Sequence, residues 1–366
     1  MTIVYFLFHM ICSLPEDVEK PLTSTGRVRN KRSLNDLHFS EPSTDIWGKF
    51  YESVNIDTHV NTSRKVTENK NVFVDSVIFQ NFNEEGVIRI SEPNDDTKVL
   101  VSTSSFFNSL SKLDGGSIYL SSKGSCVQYK VCSYESKTTG ESSQGSISEP
   151  VSGSHSYITV TNNDDHKNFV IESSITKSTG HQSVLSHSCG SILFSSINIS
   201  DSELDSIAAF SSMESSSLST TNFSNFNNIS SGNIGCFAHS SITQNFYSCN
   251  VIDNKVLIID SGLFHLIISV NLSVNQCFFK GNNASKLFHI ITNPFAEKPS
   301  SGSVNECHIE SDNTFQTNEE YIQDSKSMTK LNLSNLYYSY LCEVPKATKV
   351  LELTKPLRYF RIIRRR

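Results

Sequence analysis

Apolar and polar residues alternate in short runs along most of the chain. The segment "NVFVDSVIFQNFNEEGVIRISEP", starting at Asn71, switches between the two every second residue and carries a turn at "NEEG", which predicts a pair of short strands. Further on, an Asn recurs inside similar runs: "SSINIS", "STTNFS", "ITQNFY", "LSVNQC" and "GSVNEC" place it at Asn198, Asn222, Asn245, Asn275 and Asn305. The steps of 24, 23, 30 and 30 residues between them are the signature of a solenoid.

A second run follows a glycine. Gly86 precedes "VIRI", the pair Gly115 and Gly116 precedes "SIYL", and Gly190, Gly235 and Gly262 precede "SILF", "CFAH" and "LFHL". In "KLFHII" Lys286 stands at the glycine's place. Each unit therefore reads as a glycine corner, an apolar strand, a Ser-rich bend, an Asn-bearing strand and a loop. Such a unit cannot bury its own apolar face and must stack on its neighbours.

No unit has the three-and-four spacing of a helical repeat, and none has the long hairpin strands of an immunoglobulin-like sandwich. Equivalent residues at equivalent places are what a parallel β-helix requires, because adjacent coils lie about 4.8 Å apart and stack like on like. The expected fold is all-β: a right-handed parallel β-helix of roughly eight or nine coils, a rod about 40 Å long. It occupies residues 71–317, interrupted by a long loop at 133–156, "SYESKTTGESSQGSISEPVSGSHS". Residues 1–70 read as a poorly ordered leader and 318–366 as a non-repeat segment ending in a basic tail.

Parity within the strands assigns Asn275, Cys277 and Phe279 to one side, as it does Asn305, Cys307 and Ile309. The Asn column is then interior or at a corner, where an amide ladder satisfies buried backbone groups. Cys277 and Cys307 fall one coil apart, close enough for a disulfide and equally suited to two stacked buried thiols. His265 and His289, in "LFHLI" and "LFHII", form a further column explained by repeat register. In the glycine pair, positive φ or close approach to the next coil is expected, with Asp114 in the turn.

Composition narrows the function. With 31 basic and 37 acidic residues the chain has no global field for nucleic acid. Nine scattered cysteines have no zinc spacing, and no metal or cofactor motif is present. The apolar run Thr2–Cys12 has the length of a signal-peptide core but lacks a basic start, leaving a buried first strand and an incomplete start as alternatives. No run of 18 apolar residues predicts a membrane span. Arg27 to Arg32 form a basic stretch, and the tail from Val344 holds eight basic residues against Glu352.

Seven N-x-S/T sequons occur, at Asn61, Asn198, Asn222, Asn228, Asn271, Asn283 and Asn332. The column positions 198 and 222 are poor glycan acceptors, which favours Asn228 and Asn283 in the following loops, with Asn61 and Asn332 outside the repeat. One acid-plus-imidazole cluster stands out, Asp164, Asp165 and His166 in "NNDDH". Paired acids are what glycoside hydrolysis needs, yet neighbouring strand residues face opposite ways and the segment has the chemistry of a turn.

The "DGGSIYL" stretch at 114–120 resembles the GGA-[ILV] motif of polymorphic outer-membrane-protein repeats, with Ser117 at the Ala place, and "FKGN" at 279–282 matches the accompanying FxxN. That resemblance covers about two thirds of the chain. It implies a pectin-lyase-like β-helix on the surface of, or secreted by, bacteria or parasitic protists, used for adhesion and antigen display. Cell-surface, matrix or glycan ligands are the implied partners. The same solenoid houses polysaccharide lyases and hydrolases, so a carbohydrate-cleaving enzyme is the alternative; the N-T-D and R-I-K patterns of the hydrolases are missing from the coils.

Overall fold

Strands of two to six residues, joined by tight corners, wind the chain into stacked coils. The computed structural model describes residues 43–52, 54–142, 149–216, 218–238, 242–291, 299–315 and 328–333. Four parallel sheets run along the coils: ten strands from Thr58–Val60 to Ser301–Asn305, nine from Ile78–Gln80 to His308–Ile309, eight from Ile88–Ile90 to Lys286–Ile291, and a narrow six-stranded strip from Leu110–Ser111 to Lys255–Val256. This is a parallel β-solenoid of about eight turns. The run Thr2–Cys12, the stretch Arg27–Arg32 and the tail from Val344 lie outside the described residues.

The corners explain why so few glycines suffice. Between the ten- and nine-stranded sheets a single residue takes φ of 48 to 56° at nine successive corners: Ser76, Thr103, Lys130, Glu172, Ser196, Phe223, Ser248, Gln276 and Glu306. The left-handed region is costly for such side chains. It is held because the eight corner amides from Ser76 to Gln276 each donate to the next coil, as from Thr103 to the Tyr129 carbonyl at 3.0 Å and from Gln276 to the Asn305 carbonyl at 3.0 Å. The following residue then points inward and closes the corner. Ser104, Ser173 and Ser224 donate their hydroxyls to the carbonyl two residues back and accept the amide of Val77, Val131 and Ile197 from the preceding coil.

The second corner, after each nine-stranded strand, repeats the left-handed residue in Asn81, Asn108, Glu135, Lys177, Asp201, Asn228, Asp253 and Gly281. Its inward neighbours include an amide ladder. Asn254 and Asn282 each donate to the Asn Oδ1 one coil on, Asn254 to Asn282 at 2.9 Å and Asn282 to Asn313 at 2.8 Å. Each also donates to a backbone carbonyl, of Phe226 and Val251.

The expected Asn column is thereby corrected. Register places Asn222, Asn275 and Asn305 in one row of the ten-stranded sheet with Ser195 and Tyr247, while Asn245 pairs with Thr220 and Ser273 two residues away. Asn198 belongs to another sheet, in register with Asn225. Asn245 is exposed and only Asn222 is buried. One letter recurs at the right interval in positions that the corners keep apart.

Other expectations shift as well. The described residues of 43–69 belong to the fold: the helix α1, Ser43–Tyr51, buries Ile46, Trp47, Phe50 and Tyr51 against the outer face of the ten-stranded sheet. There the outward row reads Phe73, Leu100, Val127, Phe169 and Leu193, and it turns polar at Thr220, Asn245 and Ser273 beyond the helix contact. The loop at 133–156 is shorter than expected, because Cys132–Tyr134, Lys137–Thr138 and Ser156–Thr159 keep coil register; the excursion carries an antiparallel pair, Glu141–Ser142 with Glu149–Pro150. Within 318–366, residues 328–333 are described, and Leu331 exchanges backbone bonds with the Asn250 side chain.

The interior is two apolar blocks. One runs through Val74, Phe79, Val101 and Phe106, the other from Val170 through the contacting rings of Phe210, Phe226, Phe246 and Phe264. Between them the inward rows change character. Val101 and Val170 flank Gln128, Phe106 and Ile175 flank Ser133, and Ile118 and Leu185 flank Ser156.

Candidate functional site

The glycines before the runs do different jobs. Gly115 has φ +76° and a Cβ on it would stand 2.4 Å from the Ile118 carbonyl oxygen; on Gly116 it would stand 1.9 Å from that of Ser154, in the next coil. Asp114 lies in this turn, its carboxylate accepting the Ser152 amide at 2.7 Å. Gly262 opens its strand in register with Lys286. Gly190, φ +66°, leads into the ten-stranded sheet instead, and Gly235 lies within its strand against the Phe210 ring, so these two are not equivalents of the others. Both precede an apolar run, which is all that sequence likeness registers.

Cys277 and Cys307 are buried free thiols, joined by a third, Cys249. They occupy the inward corner position that serine takes in other coils. The Cys249 amide donates to Cys277 Sγ at 3.4 Å and the Cys277 amide to Cys307 Sγ at 3.3 Å, so the stacked-thiol alternative describes them. His265 and His289 are in register with rings 4.7 Å apart. Among the described residues no group of three His, Cys, Asp or Glu side chains is placed to hold a metal ion.

At 162–166 the cluster does not converge. Both ring nitrogens of His166 are engaged, Nδ1 with Asn163 and Nε2 with the Asp95 carbonyl at 2.9 Å, and the residue is buried as a pin between two loops. Asp164 and Asp165 are exposed. Asp165 lines a cavity of about 160 Å³ with Lys98, Lys167 and the end of α1, where the Lys167 ammonium is committed to the Phe50 carbonyl. The four favoured sequons, Asn61, Asn228, Asn283 and Asn332, are exposed, whereas Asn198 is half-buried and donates to Ser174.

The outer face of the eight-stranded sheet carries a feature that motif reading passed over. Its outward row begins Arg89, Tyr119, Tyr157, Ser186, one residue per coil in exact register. The Arg89 guanidinium lies 4.1 Å from the Tyr119 ring centre, and the Tyr119 and Tyr157 rings stack at 5.6 Å and 14°. Arg89 is steered by donating to the Asp114 carbonyl at 3.0 Å. All four are partly exposed. Burial pushes the Asp114 carboxyl up, with the Ser152 amide and Arg89 pulling the other way, and it also pushes the Tyr157 phenol up.

After Tyr157 the row drops to Ser186, so a flat ring laid over that serine would continue the stack. The signal was present in "VIRI", "SIYL" and "SYIT", whose central letters only align once the coils are registered. Arginine, two phenol rings, a carboxylate and serine hydroxyls on an exposed strip can recognise a neutral polyhydroxylated ring by stacking and hydrogen bonds. They do not assemble a nucleophile with a base. No described helix is long and apolar enough to cross a membrane. Compared with protein-family models, curated proteins and solved structures, the chain matches none.

Proposed function

We propose that this protein is a non-enzymatic, secreted or surface-displayed β-helix of the polymorphic outer-membrane-protein-like kind, which binds glycans of cells or matrix along the outer face of its eight-stranded sheet. The stacked row Arg89, Tyr119, Tyr157, ending over Ser186, is the observation that carries the reading. Aromatic faces supply contact area at low entropic cost, and a rod holds them at fixed spacing. The exposed sequons support an exterior setting, as does the motif resemblance.

A glycan array probed with the full chain, followed by titration of the best ligand, tests the proposal. Tyr157→Ala should weaken binding about tenfold, the equivalent of about 1.4 kcal/mol, while Tyr134→Ala on the nine-stranded sheet leaves it unchanged. A folded protein that binds no glycan, cell or matrix preparation overturns the reading. A tagged chain that never reaches the cell exterior removes its setting.

A further inference from the structure

The coil from Ser125 to Thr159 is polar at three inward positions, Gln128, Ser133 and Ser156, where its neighbours are apolar, and several of its buried polar side chains are only half satisfied. Ser117, Ser136 and Ser133 form a hydroxyl chain across it, with Oγ separations of 2.7 and 2.6 Å. His155 Nε2 lies 2.9 Å from Gln128 Oε1, and one coil on His187 Nε2 lies 2.9 Å from Ser156 Oγ. Beyond these, Gln128 Nε2, His155 Nδ1, Thr138 Oγ1 and Ser154 Oγ, with His187 Nδ1 and Ser178 Oγ in the following coil, are buried without a protein partner. Thr138 and Ser154 converge over Gly180: a Cβ there would stand 2.5 Å from Thr138 Oγ1 and 3.1 Å from Ser154 Cβ.

These groups specify the chemistry of what they bind. Whichever way the Gln128 amide and the His155 tautomer are set, their single bond leaves one donor and one acceptor over. The hydroxyls likewise give and take. Burial pushes both imidazoles down to about 3, so at neutral pH no interior group here is charged. An anion or cation would find no counter-charge, and an apolar guest would leave every orphan group unpaired.

We infer that this coil is a closed hydration site, in which a cluster of bound water molecules bridges Gln128, His155, Thr138, Ser154, Ser178 and His187 inside the rod. Six orphan atoms at about three bonds per buried water call for about two or three molecules. The site is distinct from the glycan-binding row and does not depend on it.

Water-oxygen magnetic relaxation dispersion on the full chain at neutral pH should show long-lived internal water. A high-resolution crystal structure should place density within 3.5 Å of Gln128 Nε2, His155 Nδ1, Thr138 Oγ1 and Ser154 Oγ. The double variant Gln128→Val with His155→Val, which removes two of the six orphan groups together with the bond between them and gives position 128 the valine of both flanking coils, should weaken or lose that dispersion. If this variant does not fold, the two wild-type measurements decide. Side chains paired directly with no density between them, an absence of long-lived water, or density coordinated as an ion would each overturn the inference.

Discussion

Cys277 and Cys307 lie in register one coil apart, and the amide of the first donates to the sulfur of the second at 3.3 Å. Cys307 Sγ in turn lies 3.2 Å from the Asn305 carbonyl, two residues back in its own coil. This is the hydrogen-bond pattern of Ser104, Ser173 and Ser224, so the thiols are corner pieces of the solenoid. Burial pushes the Cys277 thiol well up, and the neighbouring Cys277 with burial pushes Cys307 up. Both should therefore resist iodoacetamide in the native state and react in denaturant, as read by mass spectrometry. Cys277→Ser keeps the corner and should cost about 1 kcal/mol or less in a urea melt. Rapid native alkylation would show the corner to be open.

The amide ladder makes a sharper demand. Asn282 accepts the Asn254 amide at 3.2 Å and its side chain at 2.9 Å, while donating to Val251 and Asn313. Asn282→Ala strands several buried groups and should destabilise by about 3 kcal/mol. Asn245→Ala, exposed on the ten-stranded sheet, should fall within about 0.5 kcal/mol of wild type. Equal losses at the two positions would mean that the columns are assigned wrongly.

Glycine substitutions test the corners against the helix. Gly116→Val drives a side chain into the Ser154 carbonyl of the adjacent coil and should lower the melting temperature by many degrees. Gly48, in α1, has nothing within 4 Å of a built Cβ, and Gly48→Ala should raise stability by about 0.5–1 kcal/mol through helix propensity. A melt unchanged by Gly116→Val would show that the close approach does not exist.

The fold class was legible because alternation and the coil interval survive at sequence level, and that interval put Cys277 and Cys307 at one place in successive coils. Phase was not legible. Parity failed across the corner: Val274 and Cys277 are the buried residues, while Asn275 is half-buried and bonds Ser273 of the outward row, because the left-handed Gln276 breaks the alternation. A left-handed corner filled by Ser, Thr, Lys, Glu, Phe and Gln has no letter of its own, since cross-coil amide bonds enforce it. Without the corner, Asn198 and Asn222 look equivalent, although one starts a nine-stranded-sheet strand and the other ends a ten-stranded-sheet strand. The Arg89, Tyr119, Tyr157 row was hidden for the same reason: three different strands contribute one residue each, and register alone joins them.

Acid should attack the wet coil first. His155 and His187 have their values pushed by burial from 6.5 down to about 3. As pH falls through 6.5 the unfolded chain takes up two protons that the folded chain refuses until about 3. The stability these groups allow is thus fully present above 6.5 and drains between 6.5 and 3, at about 1.4 kcal/mol per pH unit for each histidine. Between pH 6.5 and 4.5 the pair should remove about 5 kcal/mol. Urea midpoints of wild type and of His155→Gln across this range check it, the variant losing about half of the pH slope. Parallel slopes would show that His155 is solvated and titrates normally.

The last test concerns the corners with no glycine. Ser248 holds φ 52° between the Tyr247 and Cys249 positions of its coil, and its amide donates to the Asn275 carbonyl at 2.9 Å. Asn tolerates this region better than Ser because its short amide bonds locally, and Gly pays no Cβ penalty there. Ser248→Asn should therefore stabilise the rod by about 0.5 kcal/mol, and Ser248→Gly by somewhat less, because glycine also gains freedom in the unfolded chain. Ser248→Val, β-branched at positive φ, should destabilise by more than 1 kcal/mol. The order Asn, Gly, Ser, Val in urea midpoints is what a left-handed corner requires; a right-handed or extended backbone at Ser248 would place Val level with Ser and Gly below both.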